Sequence, residues 1–162
     1  MSFLIQFRRR REKKTNYKKR LALLKSGKTR VVIRKRLKNI SVQFINYNPK
    51  GDETIASAFS TELKKFGWEG SRGNLPAAYL TGFLAGKRAK EKNINEAILD
   101  IGLQTSTKGS RIYAALKGVL DAGVKVPCSQ EILPSEDRIK GKHISEDIVR
   151  KFEIVKKKIE GS

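Results

Sequence analysis

The sequence predicts an α/β fold: an antiparallel three-strand meander, then an α-β-α unit, with the helices packed on one mixed sheet. Two observations carry this. Residues 30–59 hold three short runs with strand alternation, separated by turn residues. Residues 74–123 hold two longer runs of helical character on either side of the short apolar run 97–101. A third observation sets the borders. A basic N-terminal arm over residues 1–15 and a helical C-terminal extension over 127–162 flank a core spanning 16–126.

Residues 1–15 show no periodicity and are expected to be extended, and without order in isolation, since so charged a segment has little to bury. Asn16 can cap a short helix in which Tyr17, Leu21 and Leu24 share a stripe, and Ser26-Gly27 ends it. In the first strand Val31 and Ile33 alternate with Arg30, Val32, Arg34 and Arg36. In the second, Ile40, Val42 and Phe44 alternate with Ser41, Gln43 and Ile45. Asn48-Pro49-Lys50-Gly51 is a strong turn signal, and residues 54–59 read as the third strand.

A short helix is expected over 60–66, then a loop with Gly67, Gly70 and Gly73. Asn74 can cap a long helix that tolerates Pro76 in its first turn. Small residues four apart in that helix, Ala78, Gly82 and Gly86, are read as close packing of the helix on the sheet. Residues 97–101 read as a buried strand. The next helix presents Ile112, Ala115, Leu116, Val119 and Leu120, and Gly123 ends it. Ser135 and Ser145 can each cap a later helix. The second of these has the stripe Ile148, Phe152, Val155 and Ile159, which can dock on the domain or on a neighbour. Its spacing suggests the pairs Glu146–Arg150, Asp147–Lys151 and Glu153–Lys157.

Charge is the main functional signal. Residues 1–38 carry sixteen Lys and Arg against one acid, Glu12, which is +15 of the chain's +20. A field so concentrated attracts polyanions, and each phosphate neutralised releases counterions. The patch continues from the arm through a helix into a strand, so Arg30, Arg34 and Arg36 are expected to carry it onto one exposed strand face. Two loops at helix starts add candidate phosphate contacts. One is Ser71-Arg72-Gly73-Asn74. The other is Lys108-Gly109-Ser110-Arg111, where Ser110 can cap. The first, within GWEGSRGN, matches neither the dinucleotide fingerprint nor the Walker loop, while Gly70-Ser71-Arg72-Gly73 matches a bare GxxG of KH type. Trp68 reads as a core lid rather than a base-stacking platform.

Other chemistries find little support. Cys128 is the single cysteine, so no intrachain disulfide forms, and with His143 alone it cannot build a zinc site. The apolar start is too short and wrongly ordered for a secretory signal. Residues 75–86 are too few for a membrane span. A metal nuclease needs clustered carboxylates, for which Asp52, Glu53, Asp100 and Asp121 are the candidates. The first strand, a usual source of such a ligand, offers arginines instead.

Six blocks occur in order: RRRREKKTNYKKRLALLKSGKTRVVIRK, GDETIASAFSTELKKFGW, NLPAAYLTGFLAGKRA, AILDIGL, TKGSRIYAALKGVLDAG and ILPSEDRIKGKHI. Over residues 7–144 the chain resembles the archaeal and eukaryotic branch of the large-subunit ribosomal protein family L-eighteen, and its shortness is similar to the archaeal type. The resemblance implies a mixed α/β fold and a structural, non-enzymatic role without a cofactor, bound metal or small-molecule substrate. It implies binding of 5S rRNA and attachment of it to large-subunit rRNA at the central protuberance, beside neighbouring ribosomal proteins in the cytoplasm. The RNA-binding residues it implies in the arm and first helix are Arg8, Arg9, Arg10, Arg11, Lys13, Lys14, Tyr17 and Lys18, and the basic segment adds Arg20. In the hairpin they are Arg30, Arg34, Arg36 and Lys38. In the two loops they are Ser71, Arg72, Asn74, Lys108, Ser110 and Arg111. The ends before residue 7 and after 145 depart from the family pattern. A general DNA-compacting protein, or a metal-dependent nuclease of related fold, are the alternatives.

Overall fold

The computed structural model describes residues 5–161. The first four residues of the arm and Ser162 lie outside the described residues. The sheet has four strands: β1 (Arg30–Lys35), β2 (Ile40–Asn46), β3 (Glu53–Phe59) and β4 (Ile98–Asp100). Their order is β3-β2-β1-β4. The first three pair antiparallel as the expected meander, and β4 returns to pair parallel with β1. Helix α3 (Leu75–Glu91) makes the crossover between β3 and β4, and α4 (Arg111–Asp121) follows. A parallel return needs such a long connection, whereas the antiparallel pairs close with short turns.

Cross-strand register fixes which side chains share a face. Val31 opposes Phe44, which opposes Ala56, and Ile33 opposes Val42, which opposes Ala58. All six are buried, and α3 and α4 cover them. The face also gathers Leu80, Leu84, Ile112, Leu116 and Val119 into one core. Asn74 caps α3, its Oδ1 accepting from Ala77 N at 2.9 Å.

The small residues of α3 serve a different partner from the one expected. A Cβ on Gly82 would stand 1.9 Å from the Ala115 carbonyl oxygen, and one on Gly86 would stand 2.6 Å from the Ala122 Cβ. Gly118 of α4 answers them, its Cα lying against the Tyr79 carbonyl. The stripe is thus a helix-helix seam, not a helix-sheet contact. Helix backbones approach this closely only where a side chain is missing.

Three other expectations change. The arm is not extended throughout: α1 (Arg8–Arg11) forms one helical turn. Glu12 offsets local repulsion there by pairing with Lys14 at 2.8 Å, and Phe7 packs on Tyr17 with ring centroids 5.1 Å apart. In α2 (Tyr17–Leu24) the half-buried residues are Tyr17, Arg20, Leu23 and Leu24, while Leu21 is 58% exposed. Arg20 turns inward toward an acid, and this displaces the apolar stripe. The short helix over 60–66 is a 3-10 turn, Glu62–Phe66.

The C-terminal helices belong to the same body. After α5 (Glu136–Lys140), α6 (Glu146–Glu160) buries Phe152, Val155 and Ile159 against the core. Ser145 caps it, accepting from Ile148 N at 3.3 Å, whereas Ser135 makes no side-chain cap on α5. Lys151 does not pair along its own helix but reaches Glu69 in the loop before α3. Lys156 and Glu160 form an ion pair along the helix, 4.0 Å apart. The apolar stripe packs the helix on the core, and the Lys151–Glu69 pair adds a tie to the loop before α3.

Candidate nucleic-acid interface

The second face of the sheet is where the basic segment meets the fold. Arg30, Val32 and Arg34 point there, because β-strand side chains alternate. Asp100 is in register with Val32, so it stands between the two arginines on the neighbouring strand. Its carboxylate accepts from Arg30 Nη1 at 3.0 Å and from Arg34 Nη2 at 3.1 Å. Arg34 Nη1 also donates to the Asp100 backbone carbonyl at 2.6 Å. Gly102 completes the seat. Its amide donates to Asp100 Oδ1 at 2.8 Å, and a Cβ there would stand 3.0 Å from the Arg34 guanidinium.

This corrects the expectation of an exposed three-arginine strand face. Arg30 is 2% exposed and gives its guanidinium to Asp100 and Asp52, the latter at 2.6 Å. Arg34 is half-buried against Asp100. Only Arg36, beyond the end of β1, is fully exposed. Burying a guanidinium without a counter-charge is costly, so the arginines and acids come inside together. The same pairing answers the carboxylate question. Asp52 and Asp100 face arginines, and Asp121 accepts from Tyr79 Oη at 2.8 Å and pairs with Lys117 at 2.9 Å. Burial, aided by Asp121, pushes the Tyr79 phenol well above its ordinary value.

Asp52 also holds Arg20. Arg20 Nη2 donates to both Asp52 oxygens at 2.8 Å. Partial burial pushes the Asp52 carboxyl up, but the Arg20 and Arg30 guanidiniums outweigh it and hold it below the usual carboxylate range. Arg20 is therefore an ion-pair residue whose side chain points to the sheet, not a surface cation. Beneath α2 lies a cavity of about 550 Å³. Its walls include Arg9, Lys14 and Lys19 from the arm and α2, and Leu99, Gly102 and Leu103 from β4 and its loop.

The outer surface of this region keeps the remaining charge. Arg8, Arg9, Arg10, Arg11, Lys13, Lys14 and Lys18 are all exposed. Lys13 sits at φ 51, a left-handed turn that reverses the chain between α1 and α2. Arg9 Nε donates to Thr15 Oγ1 at 2.9 Å and braces that reversal. Tyr17 is half-buried, its ring on Phe7.

A second cluster forms at the far end of β1. Three loops meet around Gly73. A Cβ there would stand 3.2 Å from the Leu37 carbonyl and 3.3 Å from Arg111 Nη1. Arg111 Nη1 donates to the Gly73 carbonyl at 2.7 Å. Lys38, Ser71 and Arg72 line one shallow groove beside them, together with Lys64. Trp68 is 2% exposed and its indole N–H donates to the Ser71 carbonyl at 3.2 Å, so it is a core lid as expected. Lys108 is exposed at the start of α4.

Parts of the expected phosphate grips are already engaged. Asn74 Oδ1 caps α3. The Gly109 amide donates to the Ile132 carbonyl at 2.9 Å. Ser110 stands at the N-cap of α4, yet its hydroxyl makes no cap bond and is buried without a partner. The arrangement offers exposed cations on two loops braced by Arg111, rather than a cradle of free amides. The sequence reading missed Lys19 in the cavity wall and Lys64 in the groove. Lys64 was visible only as a cation in the amphipathic stretch before Gly67.

Among the described residues no helix is long and apolar enough to cross a membrane. A family model described as "Ribosomal large subunit proteins 60S L5, and 50S L18" matches residues 1–96 and 87–129. The chain belongs to this family. A relative from Korarchaeum cryptofilum (strain OPF8), "Large ribosomal subunit protein uL18", is 64% identical over 143 residues, which is 88% of this chain and 73% of that protein. The chain is thus an archaeal-type structural protein of the large ribosomal subunit in the cytoplasm, and not an enzyme. Ribosomal RNA and ribosomal proteins are its partners. The family match takes in the arm, the sheet and both basic clusters.

Proposed function

We propose that this protein binds 5S rRNA and fastens it to the large-subunit rRNA at the central protuberance. One observation carries the reading. Arg10, Arg11, Lys13, Lys18, Arg36, Arg72 and Lys108 have no acidic partner among the described residues, although the inward arginines Arg20, Arg30 and Arg34 of the same region each pair with an acid. A fold that neutralises its buried cations and leaves these in solvent is built for an external polyanion. Arg8–Arg11 suit bidentate phosphate contacts and stacking on bases. Phosphate contacts supply affinity. The second cluster, with Lys38, Ser71, Arg72, Asn74 and Lys108 on braced loops, supplies selection by RNA shape and by bases in loops.

Competition among 5S rRNA, an unrelated RNA of equal length and duplex DNA at physiological salt tests the reading. 5S rRNA is expected to win by about 100-fold or more. Equal affinity for all three would leave only a general nucleic-acid-binding protein.

A further inference from the structure

We infer that Asp52 is a positioning residue for RNA binding: it holds α2, and with it the basic arm, to the sheet through Arg20. The inference rests on the proposed RNA-binding reading. An acid inside the most basic region of a polyanion binder opposes binding by charge alone, so its presence needs a different reason.

Packing alone holds α2 weakly, through the half-buried Tyr17, Leu23 and Leu24. The helix has eight residues and buries none of them fully. A helix of that length is marginal without tertiary support. A cavity, not a filled core, lies between it and the sheet. The direct tie is Arg20, whose Nη2 reaches both Asp52 oxygens at 2.8 Å.

Asp52 is itself firmly placed. It follows a turn in which the Gly51 amide donates to the Asn48 carbonyl at 3.0 Å and the Lys50 amide donates to Asn48 Oδ1 at 3.0 Å. Arg30 grips it from the sheet at 2.6 Å, and Asp100 grips Arg30 in turn. The result is an alternating chain of charges, Arg20–Asp52–Arg30–Asp100–Arg34, that runs from α2 through the turn into β1 and β4. It transmits the rigidity of the sheet to the arm. Ordering the arm before RNA arrives lowers the entropy lost on binding.

The sign of one substitution separates position from charge. Asp52→Asn removes a negative charge beside the RNA surface, which on electrostatics alone tightens binding. The positioning role instead predicts a loss of 5S rRNA affinity of roughly fivefold to tenfold at 0.15 M salt. Hydrogen exchange of the α2 amides in the free protein is expected to speed up. Arg20→Ala is expected to do the same, and the double variant to bind no worse than Arg20→Ala alone, since the two act as one unit. Arg20→Gln leaves Asp52–Arg30 intact and serves if Asp52→Asn fails to fold. Unchanged or tighter binding by Asp52→Asn, additive losses in the double variant, or unchanged α2 exchange in Arg20→Gln would overturn the proposal. If the unaltered protein shows no preference for 5S rRNA, the functional reading fails. The exchange experiment then still decides whether Asp52 holds α2.

Discussion

Arg111 Nη1 donates to the carbonyl of Gly73 at 2.7 Å, tying the first residue of α4 to the loop before α3. The bond spans 38 residues of sequence and braces one loop of the second basic cluster against another. Arg111→Ala is therefore expected to loosen the 70–74 loop, seen as faster amide exchange there, and to lower 5S rRNA affinity. Lys108→Ala removes an exposed cation and no brace. It is expected to leave exchange unchanged while reducing the salt slope of binding by about 0.7–0.9, as for one phosphate contact. Equal exchange behaviour in the two variants would count against the bracing role.

Gly82 and Ala115 set the closest helix approach in the core. Gly82→Ala places a methyl where the Ala115 carbonyl already stands, so α3 and α4 must separate. Overpacking of this kind costs about 3 kcal/mol or more when the obstacle is backbone. Urea denaturation is expected to show that loss.

Asp100→Asn keeps the shape of the side chain and removes the charge shared by Arg30 and Arg34. Breaking a buried pair from one side costs about 3–5 kcal/mol, because the other charge stays inside. Thermal unfolding is expected at a clearly lower midpoint. A variant as stable as the parent would mean that Asp52 alone suffices to hold Arg30.

The Asp52 carboxyl lies below its ordinary value of 3.8 in the folded protein, because two guanidiniums favour its charged form. Stabilisation from a depressed carboxylate is fully present above that ordinary value and is lost as pH falls through the folded one. The attachment of α2 is thus expected to be insensitive to pH from 8 to 5 and to weaken only in strong acid. Methyl NMR signals of Leu23 and Leu24 followed through an acid titration would report it. Asp52→Asn is expected to show the detached signals at every pH.

The arm is expected to supply much of the electrostatic drive for RNA binding. If it meets about five phosphates, deleting residues 1–15 lowers the slope of log K against log salt by about 3–5. An unchanged slope would remove the arm from the interface.

Periodicity made much of the architecture readable. The alternation of Val31, Ile33, Val42 and Phe44 marks one apolar sheet face, and Ile112, Ala115, Leu116 and Val119 mark the inner face of α4; all eight are buried as expected. Asn74 and Ser145 announced their helices, because a cap is a local bond over three residues. The basic blocks pointed to RNA for an equally local reason: the charge is contiguous in the chain. What covers a face is not local. Gly82 and Gly86 could be recognised as a close-packing stripe, but only the tertiary structure decided that α4, not the sheet, fills it. Arg30 and Arg34 look like surface cations until Asp100, some 70 residues later in the chain, arrives beside them through the parallel return of β4. Asp52 reaches Arg20 in the same way through the meander turn. The number of cations is a property of the sequence. Which of them remain free for RNA depends on where the acids land after folding, because charge pairing acts across space and follows no sequence period.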